Sequence, residues 1–188
     1  LTNIFQKQWY AEERIQTMSS EGVKHDQDKT QYDLVPWSTA KELGTGLTTV
    51  PLTEISDALL YWLARDATFS NVQLTTLLFK FTEFALGAEL GSDDPLAEYS
   101  NTLNGVADVM TFGAKKYDKH NWRKGMTWTR LVNAALRHIE QYQSGQFLDE
   151  ESGLNHLYHA CTNMLFLLTY ELEGLGVDNR WKGGSSEV

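Results

Sequence analysis

The 188-residue chain has one cysteine, Cys161, and three prolines. A lone cysteine excludes an internal disulfide and any cysteine-built zinc site. So few prolines leave the backbone free to form long helices. Apolar runs of bilayer length are absent: the longest candidate, Ala160 to Tyr170, is short and is interrupted by Thr162, Asn163 and Thr169. Positive charge is also scarce, with 16 Lys and Arg against 25 Asp and Glu, a net charge of −9. Such a chain repels nucleic acid unless its cations are clustered, so no stable nucleic-acid partner and no membrane are expected. The opening Leu1-Thr2-Asn3-Ile4-Phe5-Gln6 lacks the basic-then-apolar pattern of a secretory leader, and the expected location is the cytoplasm.

Hydrophobic residues make up 41% of the chain, enough for a substantial core. Apolar residues recur at helical spacing over 3–18, from about 53 to 65, and over 71–91, 96–114, 128–144 and 153–173, with Gly and Ser clusters between them. Thr53 and Thr127 stand where N-caps are expected. The pattern predicts an all-α helical bundle forming one domain over residues 1–178. It has an irregular N-terminal segment at 22–37 and a flexible tail at 179–188.

Four groups of residues are candidates for chemistry. Between Phe112 and Gly125, Lys115, Lys116, Lys119, Arg123 and Lys124 put five cations within ten positions, interleaved with Tyr117, Asn121 and Trp122. Cations suit phosphate oxygens and flat rings suit a base; the plain alternative is a solvated loop. In helix 128–144, His138 falls on the apolar face, with Arg137 and Glu140 beside it. His156, His159 and Asn163 share one face of the following helix, and Asp149 and Glu150 lie in the short connection. Two helices so joined pack as an antiparallel hairpin. Imidazoles and carboxylates would then converge either as ligands of a divalent metal or as a polar core network without one. Fourth, Glu54 and Asp57 form an E-x-x-D pair that could share Mg²⁺, but both also suit a helix N-terminus.

The residues from Lys24 to Pro36 resemble the motif K-x-D-x-x-K-x-x-x-D-L-[IV]-P, which opens a phage-borne family identified as the N-terminal domain of dATP/dGTP diphosphohydrolases. Later blocks match in order: Val109 to Tyr117, Asn121-Trp122, Leu136-Arg137-His138, Asp149 to Leu157, and an H-x-x-H-A ending at His156, His159 and Ala160. Together they cover roughly residues 22–37 and 104–172. Residues of about 40–100 separate blocks that usually lie close together, and they read as an inserted helical hairpin for oligomerisation or as a lid.

The resemblance implies hydrolysis of a purine deoxynucleoside triphosphate between the α and β phosphates, assisted by Mg²⁺ or Mn²⁺, in the cytoplasm of a phage host. It also implies distant kinship with all-α MazG-type (MazZ-like) pyrophosphatases. Their E-x-x-E and E-x-x-D helices are not found in the matched blocks, so either another donor set serves here or that activity is absent. On this reading His138, Glu140 and His159 are catalytic, and Glu140, Asp149, Glu150 and His156 hold metal. Lys115, Lys116, Tyr117, Lys119, Asn121, Trp122 and Arg137 bind substrate, and Lys24, Asp26 and Lys29 join them by resemblance alone. A homo-oligomer is expected. The rival readings are a nucleotide-sequestering protein and a host-interaction protein.

Overall fold

A computed structural model describes residues 29–44, 50–65, 69–87 and 91–181. The helix expected over 3–18, the motif residues Lys24 and Asp26, and residues 182–188 lie outside the described residues. Among those described, the fold is all-α, with seven helices and no strand. They are α1 (Trp37–Ala40), α2 (Leu52–Leu63), α3 (Asn71–Ala85), α4 (Pro95–Glu98), α5 (Ser100–Tyr117), α6 (Trp128–Gln143) and α7 (His156–Glu173).

Local chemistry sets most boundaries. Ser70 and Gln73 form a reciprocal capping box at the start of α3, satisfying orphan N–H groups there. The expected N-cap Thr53 lies inside α2, which starts after Pro51. Thr127 holds the N-cap position of α6 in an extended conformation, but its side chain makes no capping bond. Asn155 caps α7 by accepting from the Leu157 N–H, and Gly174 ends the helix at φ 68°, a left-handed conformation that glycine adopts without strain.

The helix expected as one piece over 96–114 is two. Tyr99 leaves the helical conformation between α4 and α5, and its buried hydroxyl donates to Gly44 O at 2.6 Å. The new N-terminus is capped from α3. The buried Glu83 carboxylate accepts from the Asn101 and Thr102 N–H groups at 3.1 and 2.8 Å and from the Thr102 hydroxyl at 2.7 Å. Negative charge at a helix start is favourable, and these donors satisfy the buried carboxylate. Beside it, Lys80 and Glu98 form a second buried pair at 3.0 Å.

Helix α7 is the axis of the molecule. Residues around most of its circumference are buried, and it packs against α1, α3, α5 and, most extensively, α6. Helices α2 and α3, from the stretch read as an insertion, pack on α6 and α7 respectively and share a single hydrophobic core with them. A C-terminal strap closes the far end. Val177 N donates to Met126 O at 3.1 Å, Trp128 N donates to Val177 O at 2.9 Å, and Asn179 Nδ2 donates to Thr129 Oγ1 at 2.8 Å. The Arg180 guanidinium lies 4.0 Å over the Trp62 ring.

Candidate metal centre and adjoining cleft

The α6–α7 hairpin turns through residues 144–155. Within it, Asp149 N donates to Leu154 O and Gly153 N to Asp149 O, both at 2.8 Å. This tight loop folds Asp149 back over the start of α7. His138 reaches the same place from the apolar face of α6. The result is a cluster in which one donor atom each from His138, Asp149 and His156 lies within 4.8 Å of the others. The Nδ1 atoms of His138 and His156 are 2.8 Å apart. The rings of His138 and His159 stack at 4.6 Å and 18°. Ser152 Oγ lies 2.7 Å from His159 Nε2 and donates to Asp149 Oδ1 at 2.9 Å.

Burial and neighbouring imidazoles discourage a positive charge here. His138 is pushed down from 6.5 to about 4, by burial first and then by His159 and His156. Burial also lowers His159, against the opposing pull of Asp149. For Asp149, burial pushes the carboxyl up, but the Ser152 N–H and hydroxyl bonds and the nearby histidines outweigh it and hold the carboxyl below its ordinary range. At neutral pH His138 and His159 are therefore neutral imidazoles beside an ionised Asp149, the protonation state a metal requires of such groups.

The residues fit a divalent ion. Two imidazole nitrogens and one carboxylate oxygen are donors that Mn²⁺ accepts, whereas Mg²⁺ prefers oxygen throughout. His156 turns Nδ1 toward His138, and its other ring nitrogen, Nε2, is buried with no hydrogen-bond partner.

The metal-free protein should lose stability in acid. The unfolded chain binds a proton at His138 near 6.5 and the folded chain only near 4, so the unfolded form holds more protons between these values. The contribution is complete above about pH 6.5 and is lost as pH falls through 4. With solvent screening of a partly exposed ring it amounts to about 1–2 kcal/mol. Urea midpoints measured across this range in EDTA should fall, and His138→Gln should flatten the fall.

Beside the cluster lies a cleft of about 580 Å³. Its floor is apolar, from Val109, Met110, Leu131 and Phe166. Its polar wall carries Tyr117, Asp118, Asn121, Lys124, Arg130 and Asn163. Asn163 lies one helical turn, about 6 Å, beyond His159 and donates to its carbonyl oxygen at 2.8 Å, so cleft and cluster adjoin along α7. The basic turn and the histidine hairpin therefore meet. They are also linked at the rim, where Lys116 pairs with Glu151.

Several candidates stand elsewhere. Glu140, about 200° around α6 from His138, is exposed and lines a separate shallow groove with Arg137, Asn133 and Ser56. Glu150 is exposed and accepts from Gln146 Nε2 at 3.3 Å. Glu54 and Asp57 are exposed on α2. Lys119 faces Asp33 at 3.9 Å, and Lys115 is exposed at the end of α5. Lys29 is exposed and precedes Thr30, whose hydroxyl donates to Asp108 on α5. Trp122 lines the cleft, but its ring is engaged by Phe166, stacked at 4.2 Å, and by the Arg123 guanidinium at 4.7 Å. Tyr117 is 56% exposed, with Lys116 Nζ 5.1 Å from its ring centroid.

Lys124 and Asn163 belong to the candidate groups named from the sequence but carry no assigned role there, and Ser152 and Arg130 are not named there. The D-x-x-S spacing of Asp149 and Ser152 is a recognisable turn signal, and Asn163 falls on the His156–His159 face. Nothing local marks Arg130.

The fold and the cluster together define an all-α bundle with a histidine–aspartate centre beside a nucleotide-sized cleft. Residues 95–180 match the family model described as dATP/dGTP diphosphohydrolase, N-terminal. A dATP/dGTP diphosphohydrolase of Salmonella phage PMBT28 is 36% identical over 62 residues, which are 33% of this chain and 21% of that protein. The chain thus aligns with about a fifth of the relative's length. No solved structure matches. The whole cluster, and every cleft residue except Leu34, lies inside the matched stretch.

Proposed function

We propose that the chain is a purine deoxynucleoside triphosphate pyrophosphohydrolase of phage type: water adds to the α phosphate of dATP or dGTP, releasing dNMP and pyrophosphate. The observation that carries this reading is the His138–Asp149–His156 donor set, which together with the cleft lined by Asn163, one helical turn past His159, falls within the matched stretch.

His138, Asp149 and His156 would hold the metal, with Mn²⁺ the better fit and Mg²⁺ the alternative. A bound ion would polarise the phosphate and lower the pKa of water. The chain's own residues do the rest. Lys124 and Arg130 neutralise phosphate charge from the cleft wall, with Lys115, Lys116 and Lys119 raising the local potential at its rim. Tyr117 offers a stacking face to the purine, and Asn121 and Asn163 offer amides to its edge. His159 accepts or orients a proton beside the cluster. Lys24, Asp26 and Lys29 are assigned to substrate binding by resemblance alone. Arg137 and Glu140, on the other side of α6, take no part in this site.

The test supplies each of the four dNTPs with Mn²⁺ or Mg²⁺ and detects phosphate with and without inorganic pyrophosphatase. Phosphate from dATP and dGTP only when pyrophosphatase is added is the expected result. Recovery of intact nucleotide from a stable complex would instead make the chain a binding protein. Neither turnover nor binding with any nucleotide would end the nucleotide reading.

A further inference from the structure

The loop that closes the α6–α7 hairpin contains a hydroxyl placed between a carboxylate and an imidazole. Ser152 Oγ is 2.9 Å from Asp149 Oδ1 and 2.7 Å from His159 Nε2. It also accepts the Leu154 N–H at 3.2 Å. The Ser152 backbone N–H donates to the same Asp149 oxygen at 2.9 Å. Both Ser152 bonds to Asp149 fall on Oδ1, which leaves Oδ2 for a metal.

A hydroxyl has one proton, and an ionised carboxylate can only accept. The Ser152 proton must therefore point at Asp149; reversed, two oxygen lone pairs, one on an anion, would face each other at 2.9 Å. With its proton so committed, Ser152 Oγ has only lone pairs to offer His159. The ring must then present an N–H at Nε2, and its acceptor lone pair resides on Nδ1.

From this we propose that Ser152 is a positioning residue that locks His159 in its Nε2–H tautomer, making Nδ1 the proton acceptor beside the His138–Asp149–His156 cluster. Packing supports the assignment. His159 is buried on the central helix and its ring stacks on His138, so it cannot turn to choose another partner. The catalytic consequence rests on the hydrolase reading above; the tautomer does not.

The experiment separates the two. Long-range ¹H–¹⁵N correlation spectra of the histidine rings, recorded at neutral pH with diamagnetic Mg²⁺ present, report which His159 nitrogen carries the proton. Wild type should show Nε2–H. Ser152→Ala should convert the signal to a mixture or to Nδ1–H, and Ser152→Thr, which keeps the hydroxyl, should restore it. In parallel, Ser152→Ala should lower kcat about 10- to 100-fold with KM little changed, and Thr should rescue most of the loss. The loop retains the Asp149–Leu154 and Gly153–Asp149 backbone bonds, which hold its shape without the hydroxyl. Nδ1–H in wild type, or an unchanged tautomer in Ser152→Ala, overturns the proposal. A wild-type protein without turnover that still shows the Ser152-dependent tautomer would instead remove the hydrolase reading and leave the positioning role of Ser152 standing.

Discussion

Asp149→Asn should reduce triphosphate hydrolysis by roughly 10²–10³-fold while leaving the fold intact. Asparagine keeps the shape of the side chain and an oxygen that can still accept from the Ser152 N–H and hydroxyl, bonds now made at 2.9 Å. It removes the only negative charge among the three clustered donors. A neutral amide is a poor ligand for a divalent ion beside two neutral imidazoles, so metal affinity falls with the charge. Titration calorimetry with Mn²⁺ should show the loss directly, and circular dichroism should show an unchanged helix content. Removing the metal from wild type with EDTA should reproduce the defect. Adding His156→Ala to Asp149→Asn should cost little more, because ligands of one ion act as a unit. Activity of the Asn variant within a few-fold of wild type would place the reaction elsewhere.

The second large effect concerns packing. Gly105 on α5 faces Tyr158 on α7, and a Cβ built there would lie 2.3–2.5 Å from three atoms of the tyrosine ring. Glycine to alanine inside a helix ordinarily stabilises by about 1 kcal/mol. Here the contact is with the inner atoms of a ring, which cannot yield by a small rotation, and overpacking of this kind costs about 1–3 kcal/mol. The clash outweighs the propensity gain, so Gly105→Ala should lower stability by up to about 2 kcal/mol. Gly113 is the internal control. It lies in the same helix with open space around its Cβ position, so Gly113→Ala should be neutral or slightly stabilising. Urea unfolding of both variants decides the matter. The consequence reaches the site, because Tyr158 sits between His156 and His159 in sequence. Displacing it should loosen the cluster and lower hydrolysis as well as stability.

Much of this architecture was legible in the residues themselves. The 3,4 spacing of Leu74, Leu77, Leu78 and Phe81 marks α3, and the face shared by His156 and His159 places both on the inner side of α7. Short connections force neighbouring helices antiparallel, so the meeting of His138 with His156 follows from loop length. The division at Tyr99 was not legible. It depends on Glu83, which is distant along the chain and becomes a helix cap only when α3 packs against α5.

Periodicity, turn residues and charge balance are short-range properties, and they determined an all-α chain, the helices around the site and the histidine hairpin. The side of a helix that a carboxylate occupies relative to a partner depends on packing angle and on where each loop returns. So only the tertiary structure decided that Asp149 rather than Glu140 or Glu150 joins the histidines, that Ser152 stands between Asp149 and His159, and that Lys124 and Arg130 rather than Lys115, Lys119 and Arg137 wall the cleft.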